Sequence, residues 1–235
     1  MIEVRELTKV YNKQFALRNL ELSIEPGKCL CILGPNGAGK STFMRILATL
    51  SRPNKGDILF EGESIFSEPA VFRKKIGLIG HATFLYPELT AGENLKFYAT
   101  LYQIPDAQQR IDDLLQTVGL MHRKDDRVRT FSRGMQQRLA IARAILNDPE
   151  HLFLDEPYTG LDQSASQLLT DRIIELKSAH RTIVLITHNL QQGYQLADKI
   201  VIFKDGRVAD EAVTSAISES DFQQRYLAIT SGGVN

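Results

Sequence analysis

The residues best suited to chemistry form one short run, Gly34-Pro35-Asn36-Gly37-Ala38-Gly39-Lys40-Ser41-Thr42. It fits G-x-x-x-x-G-K-[ST], a pattern that binds nucleotide phosphates. Gly34, Gly37 and Gly39 let the backbone curl around an anion where a Cβ would clash. Successive backbone N–H groups and a helix N-terminus then converge on the charge. Lys40 is expected to reach the β- and γ-phosphates. The Ser41 hydroxyl is expected to join a Mg²⁺ shell, and Thr42 to add a phosphate hydrogen bond. A second candidate is the pair Asp155-Glu156, which ends the apolar run Leu152-Phe153-Leu154. Asp155 would complete the Mg²⁺ shell, directly or through water, while Glu156 points elsewhere and can poise an attacking water. By itself an Asp-Glu pair at a loop start favours no function; the phosphate loop upstream reverses that balance. Tyr11, exposed by context among Asn12, Lys13 and Gln14, is either a surface tyrosine or an aromatic that stacks on a base.

These groups need strands to aim them and helices to seat them. Cys29 to Leu33 reads as a buried strand feeding the loop, and Phe43, Ile46, Leu47 and Leu50 recur at helical spacing behind it. That helix is expected to end near Ser51-Arg52-Pro53, where proline cannot continue it. Alternation at Ile2 and Val4, then at Leu20, Leu22 and Ile24, predicts half-buried strands. Ile58 to Phe60, Ile65-Phe66 and Ile76 to Ile79 suggest more strands. From about 82 to 146 the pattern turns helical: Glu93 to Tyr102, then Ile111, Leu114, Leu115 and Val118, then a helix after Ser132 through Leu139, Ala142, Arg143 and Leu146. Asp106-Ala107-Gln108-Gln109 resembles a capping box, and Gly119 sits where a C-terminal cap belongs. Strand and helix alternate again from 151. Asp162 is expected to cap a helix through Leu169, Ile173 and Leu176, and a strand is expected over Ile183 to Ile186. Gly193 costs the next short helix about 1 kcal/mol unless packing needs it. Asp205-Gly206 predicts a hairpin turn, and Ser218 to Ile229 a last helix.

Composition sets outer limits. The 235 residues are 43% apolar and 24% charged with zero formal net charge, as in an ordinary soluble globule. No basic run marks a nucleic-acid surface, so no nucleic-acid partner is expected. Cys29 and Cys31 share a strand face and are expected to pack as small hydrophobes. No stretch approaches the ~18 apolar residues of a membrane span, and the N-terminus lacks the signal-peptide pattern, so a cytoplasmic protein is expected.

Taken in order, the phosphate loop, Phe131-Ser132-Arg133-Gly134-Met135-Gln136-Gln137-Arg138, Asp155-Glu156-Pro157, Gly160-Leu161-Asp162 and Thr187-His188 resemble an ATP-binding-cassette (ABC) ATPase over nearly the whole chain. The resemblance implies one α/β domain over 1–235 with the P-loop NTPase fold of that family. Its parts would be a RecA-like core, an antiparallel β subdomain, an α-helical subdomain over about 82–146 and a short tail over 211–235. It implies ATP and Mg²⁺ as cofactors, with Lys40, Glu156 and His188 catalytic and with Ser41 and Asp155 on the metal. Two copies would sandwich two ATP molecules head to tail, Ser132 and Gly134 of one copy facing the γ-phosphate held by the other. The same two residues also read as a plain helix cap. His188 matches a switch histidine that supports Glu156, Asp162 a residue linking the two sites, and Tyr11 an adenine-stacking aromatic.

Two departures stand out. His81 occupies a position where the family usually carries a glutamine on Mg²⁺ and the attacking water, and hard Mg²⁺ prefers oxygen. Arg133 and Met135 stand where Gly and Gln are commoner. Gly80-His81-Ala82-Thr83-Phe84-Leu85-Tyr86, with Phe131-Ser132-Arg133-Gly134-Met135, is similar to the ATPase subunit of the cytochrome c maturation haem exporter. ATPases of drug and polysaccharide exporters share the Ser-Arg-Gly-Met form. The resemblance thus implies a transporter ATPase on the cytoplasmic face of a membrane. It would dock on separate transmembrane subunits through a groove beside the helical insert. Phe84, Tyr86, Phe97, Tyr98 and Tyr102 could supply contacts there, although most of these rings are expected in the insert's core. A soluble ABC ATPase lacks its expected coiled-coil insertion or second cassette here, and a small-molecule kinase leaves Ser132, Gly134, Asp162 and His188 unexplained.

Overall fold

The computed structural model describes residues 1–80, 82–161, 163–178 and 181–231, so His81 and Asp162 lie outside the described residues. The first two strands, β1 (Ile2–Tyr11) and β2 (Gln14–Ile24), form an antiparallel hairpin through Asn12 and Lys13, both left-handed in φ. β3 (Cys29–Leu33) leads through the phosphate loop into α1 (Lys40–Leu47). β4 (Lys55–Phe60) and β5 (Glu63–Ser64) complete a four-stranded sheet in the order β2-β1-β4-β5. After α2 (Pro69–Lys74) and β6 (Ile76–Ile79) come three helices, α3 (Ala91–Leu101), α4 (Gln108–Thr117) and α5 (Arg133–Ala144). Then follow β7 (His151–Asp155), α6 (Gln163–Ser178), β8 (Thr182–Ile186), α7 (Leu190–Leu196), β9 (Lys199–Lys204), β10 (Arg207–Val213) and α8 (Glu219–Ser231). The second sheet runs β10-β9-β3-β8-β7-β6, parallel except for the edge strand β10.

β3, β7 and β8 are buried at every position, as parallel strands covered on both faces must be. The period of two divides their side chains between two cores. Cys29, Cys31 and Leu33 join Leu152, Leu154, Ile183 and Leu185 against the inserted helices. Leu30, Ile32, Phe153, Val184 and Ile186 face Phe43, Met44, Ile46 and Leu47 of α1, with the antiparallel sheet beyond. α1 therefore lies between the two sheets. The two cysteines are free, buried thiols on one face, as their spacing predicts.

Three local expectations fail for identifiable reasons. α1 stops at Leu47, well before Pro53. Thr49 adopts φ 57, its N–H reaches the Ile46 carbonyl and that of Leu50 reaches Arg45. This is a Schellman termination with threonine in the position usually held by glycine. It turns Leu50 outward, where it is exposed. Asp106 does not cap α4: it stands at φ 45, the N-cap is Ala107, and no side chain bonds there. The capping box forms instead on α3, where Thr90 Oγ1 accepts from Glu93 N and Glu93 Oε2 accepts from Thr90 N. Finally, β5 ends before Ile65, although Ile65 N still donates to Ile58 O. Gly119 does cap α4, at φ 67 with Leu120 N bonded to Leu115 O.

Gly193 in α7 has a packing reason. A Cβ there would lie 2.9 Å from Cys31 Sγ in the fully buried face of β3. Gly193→Ala should therefore destabilise the fold by about 1–3 kcal/mol by overpacking, despite alanine's better helix propensity. Denaturant melts of Gly193→Ala in wild-type and Cys31→Ala backgrounds should show a smaller penalty in the latter; equal penalties would refute the contact.

His151, at the start of β7, is buried among the rings of Phe60, Phe72 and Phe153. Neither ring nitrogen has a hydrogen-bond partner among the described residues. Burial, with the nearby N-terminal amine and Lys75, lowers its pKa from 6.5 to about 4. Between those values the unfolded chain binds a proton that the folded chain refuses. Stability is therefore undiminished above the higher value and falls as the pH drops, by up to about 1.4 kcal/mol per unit. His151→Leu should flatten the loss of stability between pH 7 and pH 5 in denaturant titrations, and an unchanged slope would rule His151 out as its source.

Candidate functional site

The candidate groups gather at the C-terminal ends of the parallel strands, where ligands of such sheets bind. β3 delivers the phosphate loop, β7 ends on Asp155, and β8 is followed by Thr187-His188. β8 lies between β3 and β7. Because α1 turns back over this edge, Ser41 Oγ comes within 3.4 Å of Asp155 Oδ1 across the intervening strand.

Close packing shapes the loop. Gly34 has φ 146, and a Cβ there would stand 2.2 Å from the Phe203 carbonyl oxygen of β9. Gly39 has φ 100, and its Cβ would stand 2.4 Å from the Ala16 oxygen of β2. The turn Asp205-Gly206, left-handed at both residues, braces the loop from outside. Gly206 N donates to Ala38 O, and Gly206 O accepts from Arg18 N at 2.8 Å. Pro35, Asn36 and Gly37 form the exposed crest, and Thr42 is half-buried.

Lys40 folds back onto its own loop, donating to Gly34 O at 2.6 Å and Pro35 O at 3.0 Å. Burial lowers its pKa from the ordinary lysine value, opposed by the carboxylates of Glu156 and Asp155. Desolvation is cheapest for a cation that faces anions, so a bound phosphate would favour the charged form further.

Glu156 follows β7 in the left-handed region, at φ 51. A non-glycine residue held there stores backbone strain, commonly about 1–3 kcal/mol, and such positions cluster at functional sites. Its N–H donates to Ile186 O at 2.9 Å, extending the β7–β8 ladder by one bond. The turn directs the carboxylate away from Asp155, and Glu156 Oε2 lies 2.8 Å from Nδ1 of the exposed His188. The sequence order Asp155-Glu156 thus becomes two carboxylates with separate surroundings.

Ser132 caps α5, its Oγ accepting from Met135 N at 3.3 Å. Around Gly134 the space is open: the nearest atom to a Cβ there is Ser132 Oγ at 4.0 Å. Among the described residues no hydrogen bond or ion pair joins Ser132 or Gly134 to the phosphate loop. Tyr11 stands exposed where β1 turns into β2, with the Lys9 ammonium 5.0 Å above its ring. One chain therefore unites Lys40, Ser41, Asp155, Glu156 and His188, and leaves Tyr11, Ser132 and Gly134 facing outward.

Sequence reasoning passed over three supporting groups. Arg143 is buried on α5, donates to Leu78 O at 2.5 Å, and lies over the rings of Phe84 and Tyr98. A charge on an otherwise apolar helical stripe is the signal that could have found it. Gln137 Nε2 donates to Pro157 O at 2.8 Å, fastening α5 to the loop that follows Glu156. Fully buried Asn94 accepts from Tyr86 N and donates to Tyr86 O and Thr90 O. The aromatic rings of this region depart from the expected core placement: Phe84, Tyr86 and Phe97 are exposed, and Tyr98 and Tyr102 are only half-buried.

The family profile described as "ABC transporter" matches residues 17–159. Nod factor export ATP-binding protein I of Cupriavidus metallidurans is 35% identical over 94% of this chain and 74% of its own length. The daunorubicin/doxorubicin resistance ATP-binding protein DrrA of Streptomyces peucetius is 40% identical over 93% of this chain and 67% of its own. A dimeric ATP-binding cassette, MJ0796, solved in a post-hydrolysis state with ADP and phosphate, superposes with TM-score 0.84 at 28% identity, covering 91% of this chain and 99% of its own. The cbiO1 subunit of Clostridium perfringens, part of the transporter complex cbiONQ, gives TM-score 0.81 at 27% identity over 97% and 94% of the two chains.

The clamp on the loop is directly testable. Gly39→Ala should weaken binding of a fluorescent ATP analogue more than ~10-fold, equivalent to about 1.4 kcal/mol. An unchanged Kd in a folded variant would show that the approach of Ala16 does not shape the loop.

Proposed function

The chain belongs to the ABC transporter family of ATP-binding proteins, and on that premise we propose that it hydrolyses ATP to drive an exporter. One observation carries the reading: the phosphate loop, Asp155 and the Glu156–His188 pair meet at one sheet edge. Lys40 and the loop N–H groups hold the β- and γ-phosphates, and Thr42 adds a hydrogen bond. Ser41 Oγ and Asp155 Oδ1 are hard oxygen donors 3.4 Å apart, a set that suits Mg²⁺. A Mg²⁺ ion held by these two residues would supply charge neutralisation to the phosphates. Glu156 accepts a proton from the attacking water, and His188 holds the Glu156 carboxylate in place. Tyr11 stacks on the base.

Completion of the site falls to a second copy. Ser132, Gly134 and the N-terminus of α5 offer a hydroxyl, an N–H and a helix dipole to the γ-phosphate held by the partner subunit. The open space around Gly134 supports this, as does the dimeric state of the similar cassette MJ0796. His81 and Asp162 lie outside the described residues, and their assignment, His81 to the attacking water and Asp162 to the link between the two sites, rests on the sequence resemblance alone.

No helix among the described residues is long and apolar enough to cross a membrane. Separate transmembrane subunits would supply the path, with this chain peripheral on the cytoplasmic face, as cbiO1 is part of a larger transporter complex. The exposed rings of Phe84, Tyr86 and Phe97 on the insert offer the docking contacts. Two relatives are named for export of Nod factor and for resistance to daunorubicin and doxorubicin, which supports export. Haem export for cytochrome c maturation rests on the sequence resemblance of 80–86 and 131–135 alone, and a drug or polysaccharide cargo is its rival. Co-purification with membrane components encoded beside the gene separates the two.

Glu156→Gln should lower ATP turnover by about 10²–10⁴-fold while ATP binding survives. Size-exclusion chromatography with ATP should then show a stable dimer. A variant that stays monomeric at saturating ATP, or keeps its turnover, would overturn the role assigned to Glu156.

A further inference from the structure

We propose that Lys9 is a positioning residue that fixes the Tyr11 ring as the platform for the nucleotide base, an inference that rests on the base-stacking reading of Tyr11 above. Lys9 lies two residues before Tyr11 on β1, so the two side chains share a face of the strand. The Lys9 ammonium sits over the Tyr11 ring, 5.0 Å from its centroid. A cation in that place is attracted by the ring quadrupole. The same ammonium donates to Arg52 O at 2.6 Å. It therefore joins the ring to the backbone of the segment that leaves α1.

That segment is itself anchored along β1. Asn54 N donates to Thr8 O at 2.8 Å, and Asn54 Oδ1 accepts from Val10 N at 2.8 Å, one residue to either side of Lys9. The Arg52 guanidinium lies 5.6 Å from the centroid of the Phe66 ring. Upstream, the N–H groups of Leu50 and Ser51 both bond to Arg45 O, so the turn at Thr49 passes a fixed chain from α1 to Arg52. α1 begins at Lys40, Ser41 and Thr42, the residues assigned to the phosphates. The phosphate end of the nucleotide thus belongs to the start of this helix, and the chain leaving its other end reaches the base platform through Arg52 and Lys9. An untethered tyrosine at an exposed hairpin end is free to change rotamer, and ordering it on binding costs entropy. The ammonium removes that freedom beforehand by covering one ring face, and it leaves the opposite face of the exposed ring for the base.

The experiment titrates the full chain calorimetrically with the non-hydrolysable β,γ-imido analogue of ATP and with inorganic tripolyphosphate, which has no base. Lys9→Met keeps the stem and removes the charge and the donor, whereas Lys9→Arg keeps both. Lys9→Met should weaken the analogue about 2–5-fold, the scale of an exposed cation–π contact, and leave tripolyphosphate unchanged. Lys9→Arg should bind the analogue as the wild type does. In a Tyr11→Ala background Lys9→Met should cost nothing further, because the ring it orders is gone. An unchanged or tighter analogue Kd in Lys9→Met overturns the proposal. So does an equal loss on tripolyphosphate, which would place the effect on the phosphate loop. A loss that persists without the Tyr11 ring, or that appears equally in Lys9→Arg, overturns it as well. Tyr11→Ala alone separates the two readings. If it weakens the analogue while Lys9→Met is neutral, only the role of Lys9 falls; if it leaves the analogue Kd unchanged, base stacking by Tyr11 falls and the proposal with it.

Discussion

Backbone crowding around the phosphate loop is the constraint on which the site depends. The Phe203 carbonyl closes on Gly34 and the Ala16 carbonyl on Gly39, at separations that no Cβ could tolerate. These two carbonyls come from different sheets, Ala16 from the antiparallel sheet and Phe203 from the parallel one. The loop is therefore a seam between the sheets, and its curvature is held by both. α1 continues from the seam into the space between them, where Phe43 meets Phe203 edge to face at 5.7 Å. Packing the apolar face of this helix thus also fixes the direction in which the loop N–H groups point.

From that seam the chemistry follows the sheet edge. Strand order places β8 between the loop and Asp155, and the return of α1 closes the gap for Ser41. Glu156 departs from its neighbour because the backbone enters the left-handed region at that residue, a strained turn that the bond to Ile186 O helps to hold. His188, just past the end of the adjacent strand, is then a partner for its carboxylate. Arg143 ties α5 to Leu78 O of β6, whereas Asn94 and Gln137 bond to the backbone of irregular segments at Tyr86, Thr90 and Pro157. In that way they hold loops that regular secondary structure cannot.

Local signals were readable where one short stretch decided the outcome. Asp205-Gly206 made its turn because both residues tolerate positive φ. Gly119 capped α4 for the same reason. The reading failed where backbone conformation rather than residue type decided the outcome. Asp106 and Thr90 both stand ahead of a helix with Gln or Glu three residues on, and only Thr90 is held in an extended conformation from which its oxygen can reach the N3 amide. Leu50 continued the helical period on paper, yet Thr49 had already reversed the chain. The rings of Phe84, Tyr86 and Phe97 read as core because aromatic residues usually are, but Ala91, Leu95 and Ala99 take the buried face of α3.

The sequence by itself determined the phosphate loop, the carboxylate pair and His188, together with the family that unites them. Those signals depend on residue type and short spacing, which the chain carries without folding. Only the tertiary structure decided that Glu156 faces His188 and leaves Asp155 to Ser41, because that choice turns on one backbone dihedral and on which strand lies alongside. It also decided that Ser132 and Gly134 stand apart from the loop of their own chain, on the end of a helix seated against the loop after Glu156. Distances between groups more than a hundred residues apart are set by strand order and helix packing, and no local pattern encodes them.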